Sequence, residues 1–81
     1  MDTIPTEIID ILRKTPLPEW CLWIAQDGDG ALWAYKAEPL QNNRGWYENE
    51  IGMYVKLGQG AANSDWKTRL IRRDSLPAEF I

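Results

Sequence analysis

Apolar and polar residues alternate with two different periods along this 81-residue chain, and the change of period marks where its architecture changes. Between residues 4 and 14, Ile4, Ile8, Ile11 and Leu12 recur at helical spacing with Ile9 beside them, which predicts an amphipathic helix with one buried stripe. Thr3 suits its cap and Pro5 its first turn; Glu7 complements the positive end, and Arg13 with Lys14 the negative end. The segment TPLPEW then stops the helix, because two prolines one residue apart cannot continue it.

From residue 20 the period becomes two. Residues 20–26 and 31–37 read as strands joined by Asp-Gly-Asp-Gly, whose glycines permit positive φ and whose aspartates bond nearby backbone, so a tight hairpin is expected. Alternation puts Trp20, Leu22 and Ile24 on one face and Cys21, Trp23 and Ala25 on the other; Leu32, Ala34 and Lys36 alternate with Ala31, Trp33, Tyr35 and Ala37. EPLQNNRG reads as a loop, WYE as a short third strand and NE as a turn. IGMYVKLG reads as a fourth strand with Ile51, Met53, Val55 and Leu57 on one face and Tyr54 and Lys56 on the other. QGAANSD is a second loop, WKTRLIRR is read as a last strand with a short helix as the alternative, and DSLPAEFI is a tail that either packs over the sheet or stays loose.

These elements predict an α+β fold: an N-terminal helix packed on a small antiparallel sheet of four or five strands. One domain is expected over 1–81, with the helix at about 4–14, a β-rich body at about 20–73 and a tail at 74–81. The helix stripe covers the face carrying Leu22, Ile24, Leu32, Met53 and Val55. Trp23, Trp33 and Tyr35 on the other face then need a reason of their own. Either the rings fold over one another, under Phe80, in a second small core, or they form an exposed aromatic surface that anchors a partner. Trp20 and Trp66 are assigned to the core, and Trp46, beside Arg44 and Tyr47 after a polar loop, is the candidate exposed ring.

Composition narrows the chemistry. Histidine is absent and Cys21 is the sole cysteine, which removes intrachain disulfides, the usual zinc sites and every histidine-based catalytic arrangement; no metal or cofactor is expected. Cys21, between Trp20 and Leu22, reads as a buried thiol suited to a reducing compartment. The polar, acidic start is not a secretory signal and no apolar run is long enough to cross a bilayer, so a cytoplasmic setting without membrane contact is expected. Asp27 and Asp29 read as turn residues, because a calcium loop needs more oxygen ligands and a terminal glutamate. Glu48 and Glu50 read as a solvated edge, and Gly58 and Gly60 lack the lysine and hydroxyl of a phosphate loop. With no nucleophile and base that converge, an enzyme is not expected.

Net charge is -3, unevenly spread: residues 66–81 hold Lys67, Arg69, Arg72 and Arg73 against Asp74 and Glu79. If residues 66–73 are extended, Lys67, Arg69 and Arg73 share a face with Ile71 and could meet phosphate while rings stack bases. Charges guarding an edge strand against sheet pairing explain the same cluster.

Trp23, Asp27, Gly30, Trp33, Tyr35, Pro39, Gly45, Trp46, Trp66 and Leu70, spread over residues 20–71, form a pattern that resembles small uncharacterised accessory proteins of tailed bacteriophages and prophages. The resemblance implies a protein that binds and blocks or redirects a host protein in the host cytoplasm. It supplies no catalytic residue, and the helix at 4–14 lies outside it. The expected function is therefore a protein-interaction module, an inhibitor or modulator of a host protein, whose contact centres on Trp33, Tyr35, Trp46 and Tyr47 with Arg44 and Glu48 at the rim. The alternatives are binding of single-stranded nucleic acid or a nucleotide through the rings with Lys67, Arg69 and Arg73, and a virion-associated or homo-oligomeric role, a homodimer included.

Overall fold

A computed structural model of the protein describes residues 4–43, 45–47 and 52–80. It consists of one helix, α1 (Thr6–Lys14), packed on a four-stranded antiparallel sheet, with a separate two-stranded hairpin. The strands are β1 (Trp23–Gln26), β2 (Ala31–Tyr35), β3 (Leu40–Gln41), β4 (Trp46–Tyr47), β5 (Tyr54–Gln59) and β6 (Leu70–Arg72). The main sheet has the order β5-β2-β1-β6, and β3 pairs with β4.

The helix starts two residues later than its apolar stripe suggests. Pro5 is extended (ψ 139°) and its carbonyl accepts the first N–H groups, from Ile8 and Ile9. At the other end Pro16 forces Thr15 out of the helical region (φ -131°, ψ 108°). Ile8 and Leu12 are buried, and with Ile24, Leu32, Ala34, Leu57, Cys21 and Leu76 they form the main core. Burying each of those two helix side chains contributes about 2 kcal/mol.

The β1–β2 hairpin is the three-residue type its glycines suggest. Asp27 N–H donates to the Ala31 carbonyl (2.9 Å), Gly30 N–H to that of Asp27 (2.9 Å), and Gly30 sits at φ +93°. Asp29 Oδ1 accepts the Ala31 N–H at 3.0 Å.

Several expectations on strand faces are corrected. Cys21 joins the main core, because the Cys21 N–H bonds the Pro18 carbonyl in a turn and regular alternation begins only at Trp23. In β5 the pairing shifts from Trp33↔Lys56 to Leu32↔Gly58, so Leu57 is an inserted bulge residue, and it faces the core. α1 lies over this end of β5: a Cβ on Gly58 would stand 2.6 Å from Ile11 Cγ2. A nine-residue helix is only about 13 Å long, and Leu22, Met53 and Val55, expected beneath it, are exposed. Ile51 and the turn at Asn49–Glu50 lie outside the described residues. Leu40–Gln41, expected in a loop, pairs with Trp46–Tyr47 because Asn42 and Gly45 close a turn through N–H donation in both directions. Residues 66–75 form neither one strand nor one helix; β6 is flanked by 3-10 turns at Trp66–Thr68 and Arg73–Ser75. The tail packs: Leu76 is buried and Phe80 lies against the main core, on the helix side rather than over the aromatic rings.

Gln26 is the one fully buried polar side chain among the described residues, and its amide joins five parts of the chain. Its Nε2 donates to Glu7 Oε1 of α1 (3.3 Å) and to the Gly30 carbonyl (3.1 Å), while its Oε1 accepts from Asn63 Nδ2 (3.3 Å) and Arg69 Nη1 (3.0 Å). Gln26→Ala removes all four bonds and opens a void, and is expected to destabilise the protein by about 3 kcal/mol in urea denaturation. A loss below about 1 kcal/mol would show that the amide is not a structural centre.

Candidate functional site

The aromatic side of the sheet carries Trp23 and Ala25 of β1, Trp33 and Tyr35 of β2, Tyr54 and Lys56 of β5, and Leu70 and Arg72 of β6. Much of it is covered by the chain itself. The β3–β4 hairpin is held there by three bonds: Trp46 N–H to Asp27 Oδ1 (2.8 Å), Tyr35 hydroxyl to the Trp46 carbonyl (3.3 Å), and Trp46 indole Nε1 to the Trp66 carbonyl (3.3 Å). The Trp46 and Trp66 rings meet edge to face with centroids 6.3 Å apart. Gly45 makes this approach possible, since a Cβ there would lie 2.5 Å from Asp27 Oδ1.

The rings of the expected interface differ in exposure. Tyr35 is buried, and Trp46, expected as an exposed ring, is half-buried against Trp66. Trp33 is half-buried, 6.0 Å from Tyr54, and Trp23 is half-buried with the Arg72 guanidinium 5.7 Å from its ring. Only Tyr47 of the expected ring set is exposed, while Arg44 and Glu48, like Glu50, lie outside the described residues. Of the two rings assigned to the core, Trp66 is buried and Trp20 is half-buried against the main core.

The basic cluster does not form a stripe. Arg73 Nη1 donates to the carbonyls of Pro18 (2.7 Å) and Cys21 (3.1 Å), which braces the turn before β1. Arg69 bonds Gln26, Lys67 lies 5.7 Å from the Trp66 centroid, and Arg72 pairs with Asp74 at 3.1 Å. Three of the four cations therefore contact groups on different parts of the fold. Gly58 and Gly60 are close-packing positions, against Ile11 and against Glu7 and Gln26.

Among the described residues no cluster of three or more histidine, cysteine, aspartate or glutamate side chains could hold a metal. Burial pushes the Cys21 thiol up, against the pull of nearby Arg73, and its Sγ donates to the Trp23 carbonyl at 3.3 Å. Among the described residues no helix is long and apolar enough to cross a membrane. What the residue pattern concealed is a set of exposed apolar side chains at the end of the sheet where β1 and β5 begin: Leu22, Met53, Tyr54 and Val55 are 56%, 51%, 49% and 41% exposed. Leu22 and Met53 flank the end of β2, where Leu22 N–H bonds the Tyr35 carbonyl and Lys36 N–H bonds that of Met53. The signal that could have revealed it is length, since α1 is too short to cover the whole face. Comparison with protein-family models, curated proteins and solved structures gave no match.

Asp27 does more than close a turn. Burial raises its carboxyl above the ordinary range, and the Asp29 charge adds to this; the N–H of Trp46 and the Trp33 side chain pull the other way without reversing it. The folded state thus holds this proton more tightly than the unfolded chain. Its stabilising contribution is full below the unfolded pKa of about 3.9 and is lost as pH rises through the higher folded value. The stability of wild type minus that of Asp27→Asn, from urea denaturation, is expected to fall between about pH 3 and about pH 7. A difference that rises with pH would contradict the assignment.

Proposed function

We propose that the protein is a protein-interaction module, and that its contact surface is the exposed apolar end of the sheet where β1 and β5 begin rather than the tryptophan cluster. The observation that carries this reading is the exposure of Leu22, Met53, Tyr54 and Val55 together, with Tyr47 exposed on the neighbouring hairpin. Large exposed apolar side chains are the usual anchors of a protein contact, and here Tyr54 on the aromatic side and Val55 on the α1 side bracket the β5 edge. Lys36 and Lys56, both exposed in the same region, supply the polar rim. The resemblance to bacteriophage accessory proteins favours a host protein as the partner and modulation of that protein as the outcome. Binding of nucleic acid is the weaker reading, because Lys67, Arg69 and Arg73 are directed to separate structural contacts.

The test is capture of partners from nuclease-treated bacterial lysate on tagged wild type, Met53→Asp and Tyr54→Ala, with circular dichroism to establish that each variant folds. A stoichiometric protein retained by wild type and reduced at least about tenfold by either variant is the expected result. Nucleic acid captured from untreated lysate and released by moderate salt would contradict the reading, as would a mass that doubles with concentration and no other protein bound.

A further inference from the structure

At the opposite edge of the sheet a groove of about 710 Å³ runs along β6, between that strand and the residues that lead into α1, Ile4 and Pro5. Residues 69, 71 and 73 face β1: the Arg69 carbonyl accepts from Gln26 N–H at 3.1 Å, Arg73 N–H donates to the Leu22 carbonyl at 2.9 Å, and Ile71 is in register with Ile24. Antiparallel alternation therefore turns the main-chain groups of Leu70 and Arg72 outward. The Arg72 carbonyl accepts the Ser75 hydroxyl at 2.7 Å. That leaves the Leu70 N–H, the Leu70 carbonyl and the Arg72 N–H directed into the groove, without partners among the described residues.

The two sheet edges differ. β5 is interrupted by its bulge at Leu57 and carries Lys56 in mid-strand, two features that discourage strand addition. β6 has no bulge, and beside it stands an apolar wall of Ile4, Pro5 and Ile71. The charged groups that line the groove are Arg69 and Arg72 against Asp65, an excess of positive charge in a protein whose net charge is -3.

We infer that β6 binds an extended acidic segment of another protein, added antiparallel as a fifth strand. The inference stands apart from the exposed apolar end of the sheet and does not depend on it. Register specifies the sequence class, because directly opposed residues share a face. An acid opposite Arg72 can replace Asp74, which pairs with Arg72 in a largely exposed contact at 3.1 Å. The next residue, opposite Ile71, faces Ile4 and Pro5 and is apolar. The third exchanges both main-chain bonds with Leu70 and is also apolar. The fourth, opposite Arg69, is a second acid that meets guanidinium N–H groups beyond the one bound to Gln26. The recognised class is acid, apolar, apolar, acid in extended form. Main-chain bonds supply affinity and the two arginines supply selectivity.

The probe is a labelled, end-blocked peptide Ser-Glu-Val-Ile-Glu-Ser, titrated onto the full chain by fluorescence anisotropy and followed by amide NMR shifts. Saturable one-to-one binding is expected, with the largest shifts at Leu70, Ile71 and Arg72. Arg72→Glu, an exposed position whose fold is verified by the NMR spectrum, weakens binding about tenfold or more. Methylation of the peptide isoleucine nitrogen, which deletes the donor to the Leu70 carbonyl, weakens it about tenfold with charge unchanged. Equal binding by the methylated peptide, or by a peptide with Val-Glu-Glu-Ile at its centre, would overturn strand addition and leave only charge attraction. Failure to saturate, shifts centred on β5, or shifts at residues 70–72 that follow protein concentration without peptide would each overturn the inference.

Discussion

The architecture depends on one buried amide. Gln26 ends β1 on the face that meets α1, where an apolar side chain would be the ordinary choice. Burying an amide costs several kcal/mol unless its hydrogen bonds are replaced. Here both atoms are satisfied, and the partners come from α1, the hairpin turn, the loop at Asn63 and Arg69. Glu7 Oε1 extends the network by accepting the Ala61 N–H at 2.7 Å, and Gly60 N–H donates to the Gly30 carbonyl at 2.8 Å. A loop with little apolar content is thereby tied to the sheet by polar bonds. The absence of a side chain on Gly60 is part of the same arrangement, since a Cβ there would occupy the position of Glu7 Oε1.

The second constraint acts on the other face. One short helix covers only one side of a four-stranded sheet, and the remaining rings would present a large apolar area to water. The chain covers much of that area with the β3–β4 hairpin, fastened through Asp27, Tyr35 and Trp66. Asp27 thus serves two elements: its backbone closes the β1–β2 turn while its carboxylate holds Trp46. The cost of burying that carboxylate appears as its raised proton affinity. With both faces substantially occupied, the surfaces left for partners lie toward the sheet edges.

Much of the fold was legible in the sequence. The helix stripe, the Asp-Gly-Asp-Gly hairpin and the antiparallel sheet follow from periods of 3.6 and two and from glycine placement, which are local properties. The errors share a different cause. The bulge at Leu57, the turn that brings Cys21 into the core, and the pairing of Leu40 with Tyr47 depend on what each segment meets across space. The candidate site was less legible. A cluster of tryptophans reads equally well as core or as interface, and only the hairpin lying over it decides. Gln26 carried no signal beyond being a polar residue at the end of an apolar run. Arg69 and Arg73 read as a basic stripe because sequence spacing does not reveal the bonds to Gln26, Pro18 and Cys21.

The aromatic face of the sheet is closed by the chain itself. Hydrogen exchange by NMR at two protons of Trp46 tests this most directly: its main-chain N–H, bonded to Asp27, and its indole N–H, bonded to the Trp66 carbonyl. Both are predicted to exchange far more slowly than free amide and indole protons, at a rate independent of protein concentration. Exchange of both at the rates of an unstructured chain would contradict closure, because the hairpin would then stand away from the sheet and leave the rings of β1 and β2 open to a partner.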